Sequence, residues 1–342
     1  MFVSKFQEKH ITQFDLINRQ KIRNFLEEQE LDFDESVQFT LAFFDDEKII
    51  ATGSFDTNVI KCLAVATNYQ GYGLTNKVIS ILMNEQHRRG FKEIFVYTKP
   101  ENEEIFTSFG FYKIIEIPKK VILLENSPDG FTNYINKLEQ KQISGKRIAA
   151  LIMNCNPFTL GHLYLIHTAA QENDVVHVFL VSENKSQFST AIRYQLVLEG
   201  TKDLDHVYVH KGSKYIISAA TFPSYFLKKK TDVTTTHAML DLTIFSKYIA
   251  PALGINYRYV GVEQTCLVTA EYNRVMKELL PKHDIAVVEI PRLTVDGVEI
   301  SASKVRHLLQ KQAYDQIKKW VPPTTYNYLV KNNSTEEKGE KK

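Results

Sequence analysis

The sequence predicts an α/β protein built from two parts, and three observations support this prediction. The chain has 342 residues, enough for roughly two domains of about 150 residues each. From Arg147 onward, short apolar runs alternate with stretches of helical spacing, a pattern typical of a parallel sheet with crossover helices. The earlier part contains a hairpin pattern, "TLAFFDDEKIIATGSF". We expect a first domain at 1–125, a linker at 126–146, a second domain at 147–330 and a disordered tail at 331–342.

Composition and charge exclude several classes of protein. The net charge is +2 with 24% charged residues, so neither nucleic acid nor a membrane surface is an expected partner. No apolar run approaches the roughly 20 residues that span a bilayer, and "MFVSKFQEKHITQFD" lacks a signal-peptide core. Cys62, Cys155 and Cys266 are far apart and form no CxxC pair, so no structural metal site is expected. We expect a soluble, cytoplasmic protein.

A polar cluster lies between a predicted strand and a predicted helix in "RIAALIMNCNPFTLGHLYLI". The strand runs from Arg147 to Met153, and helical spacing begins after Thr159. Open α/β sheets bind ligands beyond the carboxyl ends of their strands, and a helix N-terminus suits a phosphate. The turn from Thr159 to His162 is therefore a candidate phosphate site, the alternative being that His162 only caps its helix.

A second polar helix start occurs in "GVEISASKVRHLL". Ser301 and Ser303 would open a helix, where serine is a good cap, and the planar fork of Arg306 suits phosphate oxygens. Such a pattern alone is usually structural, but it gains specificity beside the turn from Thr159 to His162.

These two segments resemble the Thr/His-x-Gly-His and Ile-Ser-Ser/Thr-x-x-x-Arg motifs of the nucleotidyltransferase superfamily. The resemblance implies a Rossmann-like domain with a parallel sheet, and Mg²⁺ on the phosphates of ATP. It implies that His162, Thr159 and Arg306 are catalytic. The residues that it implies for ATP binding are Asn156, Pro157, Phe158, Gly161, His162, Gly261, Ser301, Ser303 and Arg306.

A glycine-rich loop precedes a predicted helix in the first part, in "NYQGYGLTNKVI". It resembles the acetyl-coenzyme A loop of the GCN5-related N-acetyltransferase superfamily; the alternative is a plain turn. The resemblance implies an acetyltransferase-like domain that holds a coenzyme A-like arm at Gln70, Gly71, Gly73 and Thr75. Phe106 stands where that superfamily often has a proton-donating tyrosine, so amine acetylation is not expected.

Longer stretches, including "LDLTIFSKYIAPALGI" and "YVGVEQTCLVTAEYN", resemble the citrate lyase ligase family over almost the whole chain. That resemblance implies activation of acetate by ATP as acetyl adenylate. It also implies acetylation of the prosthetic-group thiol on the citrate lyase acyl carrier protein, with release of AMP and pyrophosphate. Gln264 departs from the family pattern, which usually has proline there.

Two other functions remain open from the sequence. One is an adenylyltransferase of the pantetheine-phosphate or nicotinamide-mononucleotide type, and the other is a non-catalytic acetyltransferase-like binding module. Lys185 and Arg193 are weaker candidates for phosphate contacts, a solvated loop being the alternative. A possible acetate pocket comprises Tyr215, Thr221, Ser224 and His237. Trp320 is expected to anchor a final helix by packing.

Overall fold

The computed structural model describes residues 6–182, 186–217, 222–223, 225–227, 230–263 and 266–339, with backbone alone for 230–231 and 333–339. The chain divides into two compact units. One unit comprises Met1–Tyr134 with Phe222–Leu240, and the other comprises Ile135–Thr221 with Asp241–Lys342. The segment 222–240, which the sequence places in the second domain, thus belongs to the first unit, and the exact domain boundaries stay predictions.

The first unit is an α/β unit around a mainly antiparallel sheet. Its elements are β1 (Gln7–Ile11), α1 (Leu16–Glu28), β2 (Phe39–Asp45), β3 (Lys48–Asp56), β4 (Val59–Val65), α2 (Leu74–Arg88), β5 (Phe95–Thr98), α3 (Glu103–Thr107), β6 (Tyr112–Ile117) and β7 (Val121–Glu125). Within the described residues the strand order is β1-β2-β3-β4-β5-β7-β6. Strands β2 and β3 form the predicted hairpin. Strands β4 and β5 are parallel and pair only at Val59–Phe95 and Ile60–Val96.

Helix α2 packs directly on this sheet because β3 contains a glycine. A Cβ atom at Gly53 would lie 2.4 Å from a methyl carbon of Val78 and 2.9 Å from one of Leu82. Val78 and Leu82 are fully buried on α2. The close approach fixes the start of α2, and with it the glycine-rich loop, relative to the end of β4.

The second unit is built on a parallel sheet, which confirms the predicted α/β class. Its elements follow as α4 (Gly130–Glu139), β8 (Ile148–Met153), α5 (Leu160–Glu172), β9 (Val175–Leu180), α6 (Thr190–Gly200), β10 (Val207–His210), α7 (Lys230–Ile244), α8 (Ala250–Leu253), β11 (Tyr257–Gly261), α9 (Leu267–Leu279), β12 (Ala286–Ile290), β13 (Thr294–Val295), β14 (Val298–Glu299), α10 (Ala302–Gln310), α11 (Tyr314–Lys318) and α12 (Pro323–Gly339). Helices α4 and α7 cross the division between the units. Among the described strands the order is β10-β9-β8-β11-β12, so the carboxyl ends of β8, β9 and β11 meet at one edge.

Arg193 ties together the loops that follow β8 and β9. Its side chain is fully buried, and its Nη1 donates to the Asn154 carbonyl at 2.6 Å and to the Val181 carbonyl at 2.9 Å. Its Nε donates to the Phe188 carbonyl at 3.0 Å. The sequence left open whether Arg193 contacts phosphate or faces solvent; the structure instead makes it a buried tie, and Lys185 lies outside the described residues.

The C-terminal helix covers residues that the sequence analysis assigns to the tail. Helix α12 continues to Gly339, whereas the sequence predicts a disordered tail from residue 331. The helix is anchored by the buried side chains of Thr325 and Leu329, and an established helix is extended at little cost by good helix formers such as glutamate and lysine. Trp320 packs in the small core cluster of Val305, Ile317 and Leu329, as predicted.

Within the described part of the chain, no helix has the length and apolar character to cross a membrane.

Two histidines on adjacent strands share a hydrogen bond inside the second unit. His177 on β9 and His210 on β10 are both buried, and His177 Nδ1 lies 2.9 Å from His210 Nε2. Burial lowers the pKa of His177 to about 4. Burial, with the His177 and Lys141 charges, lowers the pKa of His210 to about 3. Both rings are therefore neutral in the folded protein at pH 7.

The buried histidine pair should make the protein less stable in mild acid. An exposed histidine titrates near pH 6.5, so between about pH 6.5 and 4 only the unfolded state binds protons on these rings. The free energy of unfolding then falls as the pH falls, by about 3 kcal/mol for the pair between pH 7 and 5. Urea unfolding at both pH values should show a loss of unfolding free energy that is larger by about this amount in the wild type than in the double variant His177→Val/His210→Val, which keeps its other titrating groups. Equal losses of unfolding free energy in the two proteins would contradict the conclusion that both rings stay neutral in the folded state.

Candidate active site

The turn after β8 is organised by a reciprocal cap between Thr159 and His162. Thr159 is the N-cap of α5, and its hydroxyl accepts a hydrogen bond from the His162 N–H at 3.4 Å. The Thr159 N–H donates in return to His162 Nδ1 at 3.1 Å. Both backbone N–H groups would otherwise lack partners at a helix start. His162 thus caps its helix, and the catalytic role that the motif implies for it stays a prediction.

This cap fixes the protonation state of the imidazole. Because Nδ1 accepts the Thr159 N–H, the ring proton is on Nε2 in the neutral form. Burial, together with the nearby Arg292 charge, lowers the pKa of His162 to about 4. The ring is therefore a neutral donor at pH 7, with Nε2–H directed away from its own helix cap.

The imidazole is also supported from one side by a buried ring. Phe158 is fully buried and stacks on His162, with ring centroids 6.1 Å apart and planes 11° apart. A Cβ at Gly200 would lie 2.6 Å from the Phe158 ring, so α6 approaches this ring closely. The Asn156 side chain, next to the cis Asn156–Pro157 bond, accepts from the Phe188 N–H at 3.2 Å. The segment from Asn156 to Phe158 therefore shapes the turn.

The second predicted motif begins α10 beside this turn. Ser301 is the N-cap, its Oγ accepting from the Lys304 N–H at 3.3 Å and lying 3.1 Å from Ser303 Oγ. A Cβ at Gly161 would lie 3.6 Å from the Ile300 carbonyl oxygen, so the two helix starts are adjacent. Residues far apart in sequence thus come together, as the motifs predict.

Arg306 links the two motifs through the main chain. Its Nη1 donates to the Asn156 carbonyl at 2.5 Å, across 150 positions of sequence. That bond uses one of the five N–H donors of the guanidinium. Arg306 therefore holds the turn after β8, in addition to any contact with a ligand.

A cavity of about 230 Å³ opens between the two helix starts and β11. Of the predicted ATP-binding residues, it is lined by Gly161, His162, Gly261 and Ser301, together with Thr159. The other predicted residues do not line it; they are Asn156, Pro157, Phe158, Ser303 and Arg306. A Cβ at Gly261 would meet no atom within 4 Å, so the end of β11 leaves open space.

Sequence reasoning missed an ion pair in the wall of this cavity. Arg292 contacts the Glu263 carboxylate and donates through Nε to the Val262 carbonyl at 3.0 Å. The Glu263 side chain is 7% exposed. Glu263 follows β11 and Arg292 follows β12, and these strands are parallel neighbours. In the sequence, each charged residue lies two positions after a strand that was not individually predicted, and only the strand order brings the two residues together.

A second set of missed residues positions the end of β11. Asn273 on α9 donates to the Gly261 carbonyl at 3.2 Å. The preceding residue, Tyr272, donates its hydroxyl to Asp241 at 2.5 Å, and Asp241 also accepts from the Ile217 N–H at 2.8 Å. Asp241 thus ties the chain after β10 to α9, the helix that supports Gly261.

Only two of the four residues suggested for an acetate pocket are described, and they belong to different units. Tyr215 is buried in the second unit, whereas His237 is buried in the first unit, 5.3 Å from the Phe222 ring. Thr221, Ser224 and Gln264 lie outside the described residues. The acetate pocket and the effect of Gln264 therefore stay predictions.

The glycine-rich loop of the first unit lies at a larger cavity of about 590 Å³. Gly71 has φ +84° and Gly73, the N-cap of α2, has φ +76°, values that favour glycine. Gln70, Gly71 and Thr75 line the cavity, as does Phe106; Gly73 is not part of the lining. The unpaired N–H groups of the first turn of α2 suit an anion.

No group of three or more His, Cys, Asp or Glu side chains among the described residues is placed to hold a metal ion. The donors at the two helix starts of the second unit are hydroxyl and N–H groups. Such donors match phosphate oxygens, and a divalent ion would then be held by the phosphates themselves.

Comparison with known proteins points to one family. The family model of the citrate lyase ligase C-terminal domain matches residues 148–329 of this chain. The citrate (pro-3S)-lyase ligase of Escherichia coli is 41% identical over 314 residues, covering 90% of this chain and 89% of the relative. The same-named ligase of Haemophilus influenzae is 42% identical over 318 residues, covering 91% and 94%.

A solved structure also resembles part of the fold. An acyl-CoA N-acyltransferase from Pseudomonas aeruginosa matches over 36% of this chain and 99% of its own, with 12% identity and a TM-score of 0.32. The likeness is confined to about a third of the chain.

Proposed function

Because the chain belongs to the citrate lyase ligase family, we propose that it activates acetate with ATP as acetyl adenylate. It then acetylates the prosthetic-group thiol of the citrate lyase acyl carrier protein, releasing AMP and pyrophosphate. The observation that supports this most is the neutral His162 donor, oriented by Thr159 at a cavity between two helix starts. The adenylyltransferase and binding-module alternatives have no support from the family relationship.

The cavity beside Gly261 suits the adenosine of ATP, and the starts of α5 and α10 suit its phosphates. Nucleotidyl transfer depends on positioning and charge stabilisation, and no protein nucleophile is needed. At the start of α5 the Leu160 N–H already donates to the Trp320 carbonyl at 2.9 Å and the His162 N–H to Thr159, so the Gly161 N–H is the one that suits phosphate there. At the start of α10 the N–H groups of Ala302 and Ser303 suit phosphate, and the Ser301 and Ser303 hydroxyls lie beside them. Mg²⁺ on the triphosphate supplies further neutralisation of negative charge.

In the first step an acetate oxygen attacks the α-phosphorus in line with the bond to pyrophosphate. The new bond joins acetate oxygen to phosphorus, and the departing oxygen leaves with pyrophosphate. Negative charge increases on the phosphate oxygens in the transition state, where Nε2–H of His162 donates a hydrogen bond. A donor already oriented contributes most there, because nothing has to reorganise.

Arg306 has a supporting part in this step. One N–H group holds the Asn156 carbonyl at 2.5 Å, and the other donors of its fork suit the β- and γ-phosphates. The same side chain thereby sets the shape of the turn and neutralises the leaving pyrophosphate. Arginine suits this double use better than lysine, whose charge is a single point.

In the second step the carrier thiol attacks the acyl carbon of acetyl adenylate. The carbon–sulfur bond forms, the bond to the AMP oxygen breaks, and the thiol proton is lost. The thiol belongs to a prosthetic group that resembles dephospho-coenzyme A. The first unit has a cavity beside a glycine-rich loop, where such a group can bind. We place the resting coenzyme A-like arm there, with its phosphates at Gln70, Gly71 and the start of α2, and its thiol end leaves this cavity to react with acetyl adenylate in the second unit.

The proposal predicts an acetate-dependent release of pyrophosphate. The full chain with ATP, Mg²⁺ and acetate should release pyrophosphate, and added deacetyl citrate lyase should become active as its carrier is acetylated. The measurement is a coupled pyrophosphate assay followed by a citrate lyase assay, with acetate omitted as the control. Release that depends on phosphopantetheine or nicotinamide mononucleotide instead of acetate would contradict the proposal.

Loss of the oriented donor should slow the first step. We expect His162→Ala to reduce acetyl adenylate formation by about 10²-fold or more, since one preorganised donor contributes on that order. His167→Ala is the matched control, because His167 is exposed on the same helix and should leave the rate near wild type. The rate is followed by acetate-dependent ATP–pyrophosphate exchange, with circular dichroism to check folding. Wild-type exchange in a folded His162→Ala protein would reduce this residue to a cap.

A further inference from the structure

Two aromatic residues from a segment distant in sequence, Tyr225 and Phe226, line the cavity of the first unit. We propose that Tyr225 and Phe226 form an end wall that limits the acyl group of the bound arm to acetyl. The cavity then takes a pantetheine-type arm ending in a free thiol or an acetyl thioester, and excludes longer acyl thioesters. This inference rests on the proposed binding of a coenzyme A-like arm in this unit.

The position of the cavity follows from the sheet. Strands β4 and β5 pair only at Val59–Phe95 and Ile60–Val96. Beyond that point, Leu63, Ala64 and Val65 of β4 line the cavity, and Thr98 of β5 lines it as well. The cavity therefore lies along β4 where its pairing with β5 has ended, and both strands have main-chain groups there that an extended ligand can reach.

The glycine-rich loop supplies one polar part of the lining, which also includes Gln29, Lys99, Glu101 and Asn102. At the carboxyl end of β4 are Gln70, Gly71 and Thr75, beside the unpaired N–H groups of α2. Cys62, beside the Tyr225 ring, lies three residues before the end of β4, about 10 Å back along the strand. Charged phosphates belong at the N–H groups, so the thiol end of the arm points toward the aromatic residues.

Tyr225 is held in place by both its side chain and its main chain. Its hydroxyl donates to the Tyr97 carbonyl on β5 at 3.1 Å, and its carbonyl accepts from the Asp32 N–H at 2.7 Å. The residue is 8% exposed. Burial raises the pKa of Tyr225, so the phenol stays protonated and keeps this hydrogen bond throughout the working pH range.

Phe226 is held by contacts between rings. Its ring meets that of Tyr225 edge-on at 5.2 Å and that of Phe222 at 6.3 Å. Phe222 in turn meets Tyr97 edge-on at 5.7 Å. Edge-to-face contacts at these distances are favourable, and each ring in the set is buried. The wall is therefore packed from behind and cannot retreat without breaking several contacts.

A packed wall discriminates by length. A free thiol or an acetyl group ends before it, whereas each further methylene must displace a buried ring. One methylene in a well-fitted apolar pocket changes affinity by roughly 10–200-fold. Phe106, also part of the lining and 3% exposed, adds a second ring from α3 and offers no hydroxyl to an acceptor amine.

The test is a ligand series on the full chain by isothermal titration. Coenzyme A and acetyl-coenzyme A should bind wild type with dissociation constants within about threefold of each other. Butyryl-coenzyme A should bind at least about tenfold more weakly. If butyryl- and acetyl-coenzyme A bind equally well, the end wall is wrong while the arm site stands. If none of the three binds, the arm site itself fails, and the inference fails with it.

Removing the Phe226 ring should abolish the discrimination between acetyl- and butyryl-coenzyme A. In Phe226→Ala, butyryl-coenzyme A should bind within about threefold of acetyl-coenzyme A, the removed ring leaving space for the two extra methylenes. Phe226→Leu is a milder variant if alanine prevents folding, and it should narrow the difference in part. Phe14→Ala is the matched control, because Phe14 is 83% exposed and should keep wild-type selectivity. Unchanged selectivity in a folded Phe226 variant would overturn the inference.

Discussion

The hydrogen bond from the Thr159 N–H to His162 Nδ1 is the interaction on which the active site depends. It satisfies a backbone donor at the start of α5 and, by the same contact, places the ring proton on Nε2. Burial then keeps the ring neutral, with a pKa of about 4. A helix cap and a catalytic donor are commonly treated as competing explanations for a residue, but in the mechanism we propose the cap orients the donor.

Several groups hold the turn in place. The buried Arg193 donates to the Asn154 carbonyl, the half-buried Arg306 donates to the Asn156 carbonyl, and the buried Phe158 packs between α6 and the imidazole. A hydrogen bond lost from a group that is shielded from water is costly, so these contacts favour one conformation of the turn. The same logic applies in the first unit, where Tyr225 satisfies the Tyr97 carbonyl beyond the last β4–β5 pair.

The sequence predicts those features that depend on local pattern. The α/β class, the hairpin of β2 and β3, and the two helix starts at Thr159 and Ser301 all follow from periodicity and capping residues. The pairing of Glu263 with Arg292 does not, because it depends on β11 and β12 being neighbours in the sheet. The placement of Tyr225 beside β5 is likewise invisible in the sequence, since 128 positions separate Tyr225 from Tyr97.

Arg193 shows most clearly why charge in a sequence is ambiguous. A basic residue after a strand is consistent with a phosphate contact or a solvated face, and the structure has neither. Its guanidinium is fully buried among main-chain carbonyl groups. Burial of a cation is rare in general, so sequence reasoning gives it little weight, and only the geometry of the loops after β8 and β9 reveals it.

The most direct test of this account is the protonation of His162, followed by ¹⁵N nuclear magnetic resonance between pH 5 and 8. With selectively labelled histidine and His162→Gln for assignment, the account predicts a neutral ring with its proton on Nε2 throughout this range. The pKa should lie near 4. A ring that titrates near pH 6.5, or one protonated on Nδ1 at pH 7, would contradict the claim that the helix cap sets the catalytic donor.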